Sequence, residues 1–461
     1  MSSFARICGG SLVFAGAVAC GGEARVIVDW ARTHQTIVGF GGTMGWIHPH
    51  PQKANEVFDL LFTRLGASVL RVQALGGEGG DELSLEPEND NNDPDTFDWS
   101  KLPIKTTEAR NAAIIQAAQK RGVKTIVAAS WSPPAWMKTT GRRAGGGELK
   151  PELLDEFAEL WAAYVIGMKR EFRIEIPFIS IQNEPDMEYY YPTCGFVPAF
   201  YAKAMVTVAA RLKREKLDVR VLGPDTCRIY NMPAYVAETE KLRAAPGEPI
   251  LTHLYDLSIP YERADRDPER WQKARELARK LKRPLWFMET ANYLSYGVEK
   301  GSYEEAMIWA RKIHSALVDG DCQAVCYWSL YFDKKGEALV YAEKNGSEKY
   351  EITPKFHTSM SYFRHVRPGM VRCEAGSTDK ELLVSAFGPA PGVGAPRVIV
   401  IINPTDEAKR ADVPRSRDEI GSRCETTRTR NCESVPWPRG QPVILPPQSV
   451  TTFVTQPTGE E

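Results

Sequence analysis

Two glutamates each lie at the end of a short hydrophobic run that has the composition of a buried strand. Glu184 closes the run 178–184, and Glu289 is the penultimate residue of the run 284–290. If both runs are strands of one parallel barrel, both carboxyl groups point into the mouth at the carboxyl ends of the strands. Such a pair can cleave a glycosidic bond, because one carboxyl group protonates the leaving oxygen while the other attacks the sugar or activates water. A buried ion pair is the competing role for either glutamate.

Two further polar side chains are expected to keep Glu289 ionised. Arg71 is predicted near the end of the second barrel strand and Tyr255 near the end of the sixth. A guanidinium stabilises a carboxylate by its charge, and a phenol does so by a hydrogen bond. A purely structural ion pair or hydrogen bond is the alternative for each of them.

Sugar rings present apolar C–H faces, so a sugar-binding mouth needs aromatic platforms. Trp131 and Trp328, at predicted strand ends, are the first candidates. Trp46 and Tyr190 are weaker candidates, and packing within its loop is the alternative role for Tyr190. The tryptophans at positions 161, 271 and 309 fall in helical segments, where we expect them to pack against the barrel.

Other kinds of site fit the sequence less well. The glycine-rich run 39–45 misplaces the third glycine of the dinucleotide-binding fingerprint, and the second predicted strand does not end in an acidic residue. His48 and His50 are the only close histidine pair, which is too small a ligand set for a catalytic metal. We therefore expect no cofactor and no metal. A non-catalytic carbohydrate-binding protein would keep the tryptophans but lose one of the glutamates, and both are present.

The elements that must position these side chains alternate along residues 37–366. Eight β-rich runs are separated by segments with helical spacing of Ala, Leu, Ile and Trp, several of which begin with proline. This alternation predicts an α/β fold, a (β/α)8 TIM barrel. The predicted strands are Ile37–Gly42, Ser68–Gln73, Lys124–Ser130, Phe178–Glu184, Arg220–Asp225, Ile250–Asp256, Pro284–Thr290 and Ala324–Leu330. The predicted helices include Asn111–Arg121, Pro151–Phe172, Pro198–Arg214, Pro268–Leu281, Ser302–Val318 and Pro354–Val366.

Residues 367–461 differ in composition: they are rich in Gly, Pro, Thr and β-branched residues and have no amphipathic helical pattern. They predict a small antiparallel β-sandwich side domain. The β-like run within residues 25–36 precedes a barrel whose eight strand positions are already filled. We therefore predict that residues 25–36 join the same side domain.

The net charge of the chain argues against some classes of partner, and its first residues predict its location. The 58 basic and 59 acidic residues leave a net charge of −1, which argues against a polycationic nucleic-acid or membrane-surface binder. Residues 1–19 have the basic, apolar and small-residue regions of a signal peptide and are too short to span a membrane, so we expect a secreted or periplasmic protein. Cys20 raises the alternative of a lipid anchor, although Ala17 stands where a lipobox usually has leucine. We expect a monomer that acts on a polysaccharide or glycoside.

The remaining cysteines show no zinc-finger spacing. Cys424 and Cys432 flank a short polar segment and are able to close a hairpin disulfide. If Cys322 and Cys326 share one strand, they lie about 13 Å apart, which is too far for a disulfide. We expect those two to be buried free thiols.

Several motifs together resemble glycoside hydrolase family 30, which includes glucosylceramidases, glucuronoxylanases and β-1,6-glucanases. The resemblance spans nearly the whole chain after the signal segment and rests on residues 39–42, 130–138, 180–186, 288–289, 354–356 and 364–369. It implies that Glu184 is the acid/base, that Asn183 binds a sugar 2-hydroxyl and that Glu289 is the nucleophile of a retaining enzyme. It also implies a β-sandwich fused to the barrel.

The resemblance leaves the substrate open. A glucuronoxylanase is expected to carry Arg and Tyr groups that clamp a glucuronate, and the loop 331–336 shows no clear match to such a clamp. The lysines of that loop could bind an acidic sugar, although a solvated loop is the simpler interpretation. Endo-action on xylan is the first expectation. Exo-action on a β-glucoside or glucosylceramide and action on β-1,6-glucan are the alternatives.

Overall fold

The structure is a computed structural model that describes residues 23–76, 83–255, 268–291, 298–389, 396–416 and 419–457. The predicted signal peptide 1–19 and Cys20 lie outside the described residues. Within those ranges, no helix is both long enough and apolar enough to cross a membrane.

Eight parallel strands form a closed barrel, which confirms the predicted fold class. They follow β1 (Ala24–Thr36), which belongs to a different sheet. The barrel strands are β2 (Gly39–Met44), β3 (Val69–Ala74), β4 (Thr125–Ser130), β5 (Phe178–Ser180), β6 (Arg220–Leu222), β7 (Ile250–His253), β8 (Leu285–Glu289) and β9 (Ala324–Phe332). Successive strands pair, and β9 pairs with β2. Between β6 and β7 the ring closes through a parallel bridge of Thr226 to Thr252.

Alternate side chains of the barrel strands point into the barrel, where they form a compact apolar cluster. Residues between them, such as Leu70 and Phe287, join the larger core between strands and helices. Gly41 lets β2 lie against β3, because a Cβ at this position would overlap the carbonyl oxygen of Val69. The inner cluster is Val69, Val127, Leu222, Leu251, Trp286, Met288, Ala324 and Cys326.

Helices connect the strands, and most agree with the predicted segments to within a few residues. Ser302 caps the helix that begins at Tyr303 by accepting a hydrogen bond from the Glu305 N–H at 3.2 Å. The predicted segments do not include the helices that begin at Ala54, Ile104 and Met232. The helices are α1 (Ala54–Phe58, continuing as a π-helical turn Asp59–Arg64), α2 (Ile104–Thr107), α3 (Ala109–Lys120), α4 (Leu154–Phe172), α5 (Pro198–Arg214), α6 (Met232–Leu242), α7 (Pro268–Leu281), α8 (Tyr303–Val318) and α9 (Pro354–Phe363).

Three barrel strands end several residues earlier than predicted: β7 ends at His253, before the predicted Asp256, and β5 and β6 end at turns. Pairing of β5 stops at Ser180 and pairing of β6 stops at Leu222, whereas the hydrophobic runs predict strands as far as Glu184 and Asp225. Glu184 and Asp225 have φ values of 49° and 59°, in the left-handed region that strands do not contain. The chain therefore turns at both residues, directly above the barrel.

The remaining strands extend the barrel sheet and build a second, nine-stranded sheet, which confirms the β side domain. The extension consists of β10 (Ala338–Ala342) and β11 (Tyr350–Ile352). In the second sheet the pair of β1 with β15 is parallel, which differs from the all-antiparallel expectation. The strands are β12 (Val371–Ser377), β13 (Leu383–Gly388), β14 (Arg397–Asn403), β15 (Lys409–Asp412), β16 (Glu419–Thr426), β17 (Asn431–Val435), β18 (Val443–Leu445) and β19 (Ser449–Pro457), and the order is β17-β16-β19-β14-β13-β12-β1-β15-β18.

The nine-stranded sheet has two apolar faces. On one face, β1, β15 and β18 pack against β13, β14 and β19 around Phe453 and Trp437, which gives the layered core of a sandwich. On the other face, Val400 and Val450 belong to the same core as the barrel. Tyr303 of α8 adds hydrogen bonds to this contact, since its hydroxyl donates to backbone oxygens of β16 and of residue 448. The predicted domain limits, 37–366 and 25–36 with 367–461, stay a prediction.

All cysteines in the described ranges are free thiols. Cys322 and Cys326 are buried, as predicted. The sulfurs of Cys424 and Cys432 are 3.2 Å apart and unbonded, so the disulfide that their spacing permits is not formed.

Candidate active site

Arg71 lies inside the barrel and binds three side chains that reach the mouth. It follows Val69 by two residues on β3, so strand alternation turns it inward. Its Nη1 donates to Glu289 Oε2 at 2.6 Å, and its Nη2 donates to Asp225 Oδ2 at 2.8 Å and to Asn183 Oδ1 at 2.5 Å. The side chains of Arg71 and Asp225 are completely buried. One guanidinium thus fixes the positions of Glu289 and Asn183.

Glu289 reaches the mouth because the β7–β8 pairing is irregular at its end. The register passes from Phe287 directly to Glu289 and leaves Met288 as an extra residue. A bulge of this kind re-aims the following side chain. Met288 therefore stays in the inner apolar cluster while the Glu289 carboxylate meets Arg71 above it.

His253 of β7 connects Glu184 to Asp225. Its Nδ1 lies 3.0 Å from Glu184 Oε1, and its Nε2 lies 2.9 Å from Asp225 Oδ1. Burial alone lowers the pKa of His253, but the negative charges of Glu289 and Asp225 and the two hydrogen bonds outweigh burial and raise the pKa to about 10. At neutral pH the ring is therefore an imidazolium that donates from both nitrogens.

Glu184 is held by its backbone as well as by its side chain. Its N–H donates to the Asp225 carbonyl oxygen at 3.0 Å, and its Oε2 accepts from the Tyr191 hydroxyl at 3.2 Å. A left-handed conformation costs a non-glycine residue about 1–2 kcal/mol, so this geometry persists only because its surroundings fix it. The carboxyl group of Glu184 thus has a fixed position opposite Glu289.

The charges of the cluster act on the ionisation of Glu289. Arg71 and His253 supply two positive charges. Burial raises the pKa of Asp225, but Arg71 and His253 outweigh burial and lower it below its usual value, so Asp225 supplies one negative charge. The two cations therefore outnumber this carboxylate, and both favour the ionised form of Glu289.

Of the two glutamates, we assign Glu289 as the ionised one. Burial raises the pKa of Glu289 to about 7, and the charges of His253 and Arg71 oppose that rise. The Arg71 guanidinium is permanently charged and lies 2.6 Å from Glu289 Oε2, while Tyr255 donates its hydroxyl hydrogen to Oε1 at 3.1 Å. Both contacts favour the carboxylate form of Glu289.

A cavity of about 290 Å³ opens above the two glutamates, and its walls are mainly aromatic. The indoles of Trp46, Trp131 and Trp328 contact one another with ring centres 5.7 to 6.0 Å apart. Trp131 is only 2% exposed, and the Arg71 guanidinium lies 4.6 Å above its ring, so little of its face is open to a sugar. The cavity is lined by Trp46, Trp131, Glu184, Met187, Tyr189, Tyr190, Tyr191, Cys227, Tyr255, Glu289, Trp328, Phe332, Asp333, Lys334 and Glu337.

All the predicted site residues lie in or beside this cavity, but Tyr191, rather than the predicted Tyr190, contacts a catalytic candidate. Tyr190 is 70% exposed at the rim, whereas its neighbour Tyr191 contacts Glu184. Trp328 donates its Nε1 hydrogen to Glu337 Oε2 at 3.0 Å, so a third glutamate borders the cavity. Burial raises the pKa of Glu337, and Lys334 and Trp328 oppose that rise.

Sequence reasoning missed His253, Asp225 and Glu337 as members of the site, and it included Tyr191 only as one of three weak tyrosine candidates. Asp225 closes the fifth predicted strand and His253 lies within the sixth, so the strand-end signal that identifies Glu184 was available for them too. Tyr191 is one of three consecutive tyrosines, and the sequence offers no way to choose among them. Glu337 lies beyond the predicted end of the eighth strand, in a loop whose path the sequence does not predict.

One atom each of Glu184, His253 and Glu289 lies within 4.8 Å of the others, which is also a spacing that metal ligands can have. The donor set does not suit a cation, because an imidazolium has no free lone pair and Arg71 already occupies Glu289 Oε2. Two neighbouring carboxyl groups that border an aromatic cavity suit acid–base and nucleophilic chemistry on a sugar.

Comparison with known proteins points to the same chemistry. Residues 88–205 match the glycosyl hydrolase family 30 TIM-barrel domain. The chain is 25% identical to a glucuronoxylanase of Bacillus subtilis over 453 residues, which cover 93% of this chain and 91% of that protein. It is 29% identical to the lysosomal acid glucosylceramidase of Mus musculus over 115 residues, which cover 23% and 22% of the two chains. The fold is similar to that of a family 30 subfamily 8 xylanase from Clostridium acetobutylicum, with a TM-score of 0.72, 22% identity and coverage of 94% and 99%.

Proposed function

We propose that this glycoside hydrolase, a member of family 30, cleaves β-linked sugars with retention of configuration, using Glu289 as nucleophile and Glu184 as acid/base. The observation that carries the proposal is the spacing of the two carboxyl groups, which have oxygens within 4.8 Å of each other. Retaining enzymes have carboxyl groups about 5–5.5 Å apart, whereas inverting enzymes leave about 6.5–9.5 Å for a water molecule.

In the first step, the Glu289 carboxylate attacks the anomeric carbon while Glu184 gives its proton to the departing glycosidic oxygen. A covalent glycosyl ester forms on Glu289, and the leaving sugar departs as an alcohol. Arg71 and Tyr255 position the attacking carboxylate. The Asn183 amide oxygen is held by Arg71, which leaves its N–H groups to donate to a sugar hydroxyl.

In the second step, the Glu184 carboxylate takes a proton from water, and the resulting hydroxide attacks the anomeric carbon and releases Glu289. Once Glu289 is esterified it carries no charge, so Glu184 can ionise without a second anion beside it. His253 stabilises that ionised Glu184 because its Nδ1–H donates to Oε1. Two inversions at the same carbon give net retention.

We propose xylan as the substrate class and endo-action as the mode of cleavage. The similarity to a glucuronoxylanase along nearly the whole chain supports xylan. Among the described residues that line the cavity, the carboxyl groups of Asp333 and Glu337 lie beside one lysine, Lys334, so this part of the lining offers little to bind a glucuronate. Sugar-ring contacts are assigned to Trp46 and Trp328, with Tyr190 at the rim. We further propose that residues 1–19 direct export and that residues 37–366 form the catalytic domain.

Product analysis on glucuronoxylan, arabinoxylan, β-1,6-glucan, glucosylceramide and aryl β-glycosides tests this proposal. We expect xylo-oligosaccharides of mixed length from both xylans early in the reaction, with no fixed glucuronate position. The matched controls Glu289→Ala and Glu184→Gln should lose turnover by orders of magnitude. Release of single sugars alone would contradict endo-action, and near-normal turnover by either variant would contradict its assigned role.

A further inference from the structure

Three side chains that suit a soft metal ion meet where the end of α9 lies beside the β16–β17 hairpin, outside the barrel mouth. They are Cys424, Cys432 and His365, and one ligand atom of each lies within 4.8 Å of the others. The two Sγ atoms are 3.2 Å apart, and Cys424 Sγ is 3.5 Å from His365 Nε2. All three residues are partly exposed, and no step of the proposed reaction uses them.

These ligands come from three separate segments. Cys424 lies in β16, Cys432 in β17 and His365 just after α9. Cys432 is the extra residue where the β16–β17 register shifts, and its φ is 56°. The left-handed conformation costs a non-glycine residue about 1–2 kcal/mol, and bulges often re-aim a side chain beside a functional site. The strained residue is thus one that supplies a ligand atom.

We propose that Cys424, Cys432 and His365 bind Zn²⁺, with water as the fourth ligand, and thereby fasten the β16–β17 hairpin to the end of α9. Thiolate and imidazole are the ligands that zinc prefers, and partial exposure admits the water. Both cysteines bind as thiolates, so each thiol gives up its proton as the metal binds.

The distances fit zinc better than a disulfide. With Zn–S of about 2.3 Å and Zn–N of about 2.05 Å, tetrahedral geometry places two sulfurs about 3.8 Å apart and sulfur about 3.6 Å from nitrogen. The sulfur–nitrogen distance already matches, and the sulfurs need to separate by roughly half an ångström. A disulfide requires the sulfurs to approach by more than about 1 Å and gives His365 no role.

The test measures metal binding by the full-length protein after reduction and desalting. We expect one zinc per chain by elemental analysis, and Co²⁺ in place of zinc should give thiolate charge-transfer and tetrahedral d–d absorption. Zinc should also raise the thermal midpoint, and a chelator should reverse the rise. Cys432→Ser and His365→Gln should each lose the stoichiometric zinc and the cobalt spectrum.

Two control variants test whether the metal is bound by these three side chains and not elsewhere. Cys373→Ser removes another free thiol, which belongs to neither three-ligand group found among the described residues, and should keep full zinc binding. Glu184→Gln should also keep it, which separates this site from the catalytic glutamates. Reduced wild-type protein that binds no zinc would overturn the proposal, as would zinc retained by both Cys432→Ser and His365→Gln.

Discussion

At the scale of single residues, the site depends on a buried charge network more than on the two glutamates alone. Sequence reasoning could name Arg71 and Tyr255 as neighbours of Glu289, because strand ends in a parallel barrel converge on one mouth. It could not find the link of His253 to Asp225 and Glu184, since that link depends on two left-handed turns, at Glu184 and Asp225, inside runs that read as continuous strands. The effect of His253 and Arg71 on the ionisation of Glu289 follows from this network.

His253→Asn should shift the acid limb of the kcat/KM profile to higher pH and reduce activity. The imidazolium, whose pKa is about 10, lowers the pKa of Glu289, so its loss raises that pKa and protonates the nucleophile at a higher pH. Pre-steady-state or steady-state pH profiles measure the shift. His50→Asn, at the edge of the barrel near Glu348, is the matched control and should leave the profile unchanged. An unshifted acid limb in His253→Asn would refute the electrostatic role.

At the scale of elements, the alternation of β-rich and helical runs was sufficient to predict all eight barrel strands. Proline at the start of α5, α7 and α9 fixed those helix starts, since it is tolerated only in the first turn. The short helix α1 was not predicted because its hydrophobic pattern is brief. The helix α6 was missed although it has a first-turn proline and buried residues at helical spacing. The strands β10 and β11 were not predicted, because we expected a loop after the eighth barrel strand.

A buried lysine links two of these elements and gives a stability prediction. Lys355 at the start of α9 donates to Glu305 of α8, and neither side chain is more than 1% exposed. Lys355→Met should lower the free energy of unfolding by roughly 3 kcal/mol, because Glu305 would be left buried without its cation. Lys241→Met removes the exposed partner of Glu238 and should cost less than about 1 kcal/mol. Equal shifts of the urea midpoint in the two variants would contradict the prediction that the buried ion pair matters more for stability than the exposed one.

At the scale of the whole molecule, the composition change after residue 366 predicted a second β-rich unit but not how closely it joins the barrel. The two faces of the nine-stranded sheet belong to two different hydrophobic cores. Ile399 and Ile401 of β14 lie in the core of the sandwich, whereas Val398 and Val400 lie in the core that includes the barrel helices. Successive residues of β14 point to opposite faces of the sheet, and the run is apolar throughout, so the sequence indicates that both faces are buried. It does not indicate which element covers each face.

This shared core predicts that the barrel and the side domain unfold together. Calorimetry of the full chain should show one transition, and thermal loss of hydrolytic activity should follow it, because opening the interface would expose Val400, Ile402 and Val450 to water. Two resolved transitions would show that the domains are energetically independent.

The central claim is that Glu289 carries the glycosyl group during turnover, and trapping of that intermediate tests it most directly. A 2-deoxy-2-fluoro-β-xylobioside with a good leaving group should inactivate the enzyme, because the fluorine slows hydrolysis of the ester more than its formation. Peptide mass spectrometry should then find one fluoroxylobiosyl group, attached to Glu289, and Glu289→Ala should remain unlabelled. A label on Glu184, or first-formed product with the inverted anomeric configuration, would contradict the account.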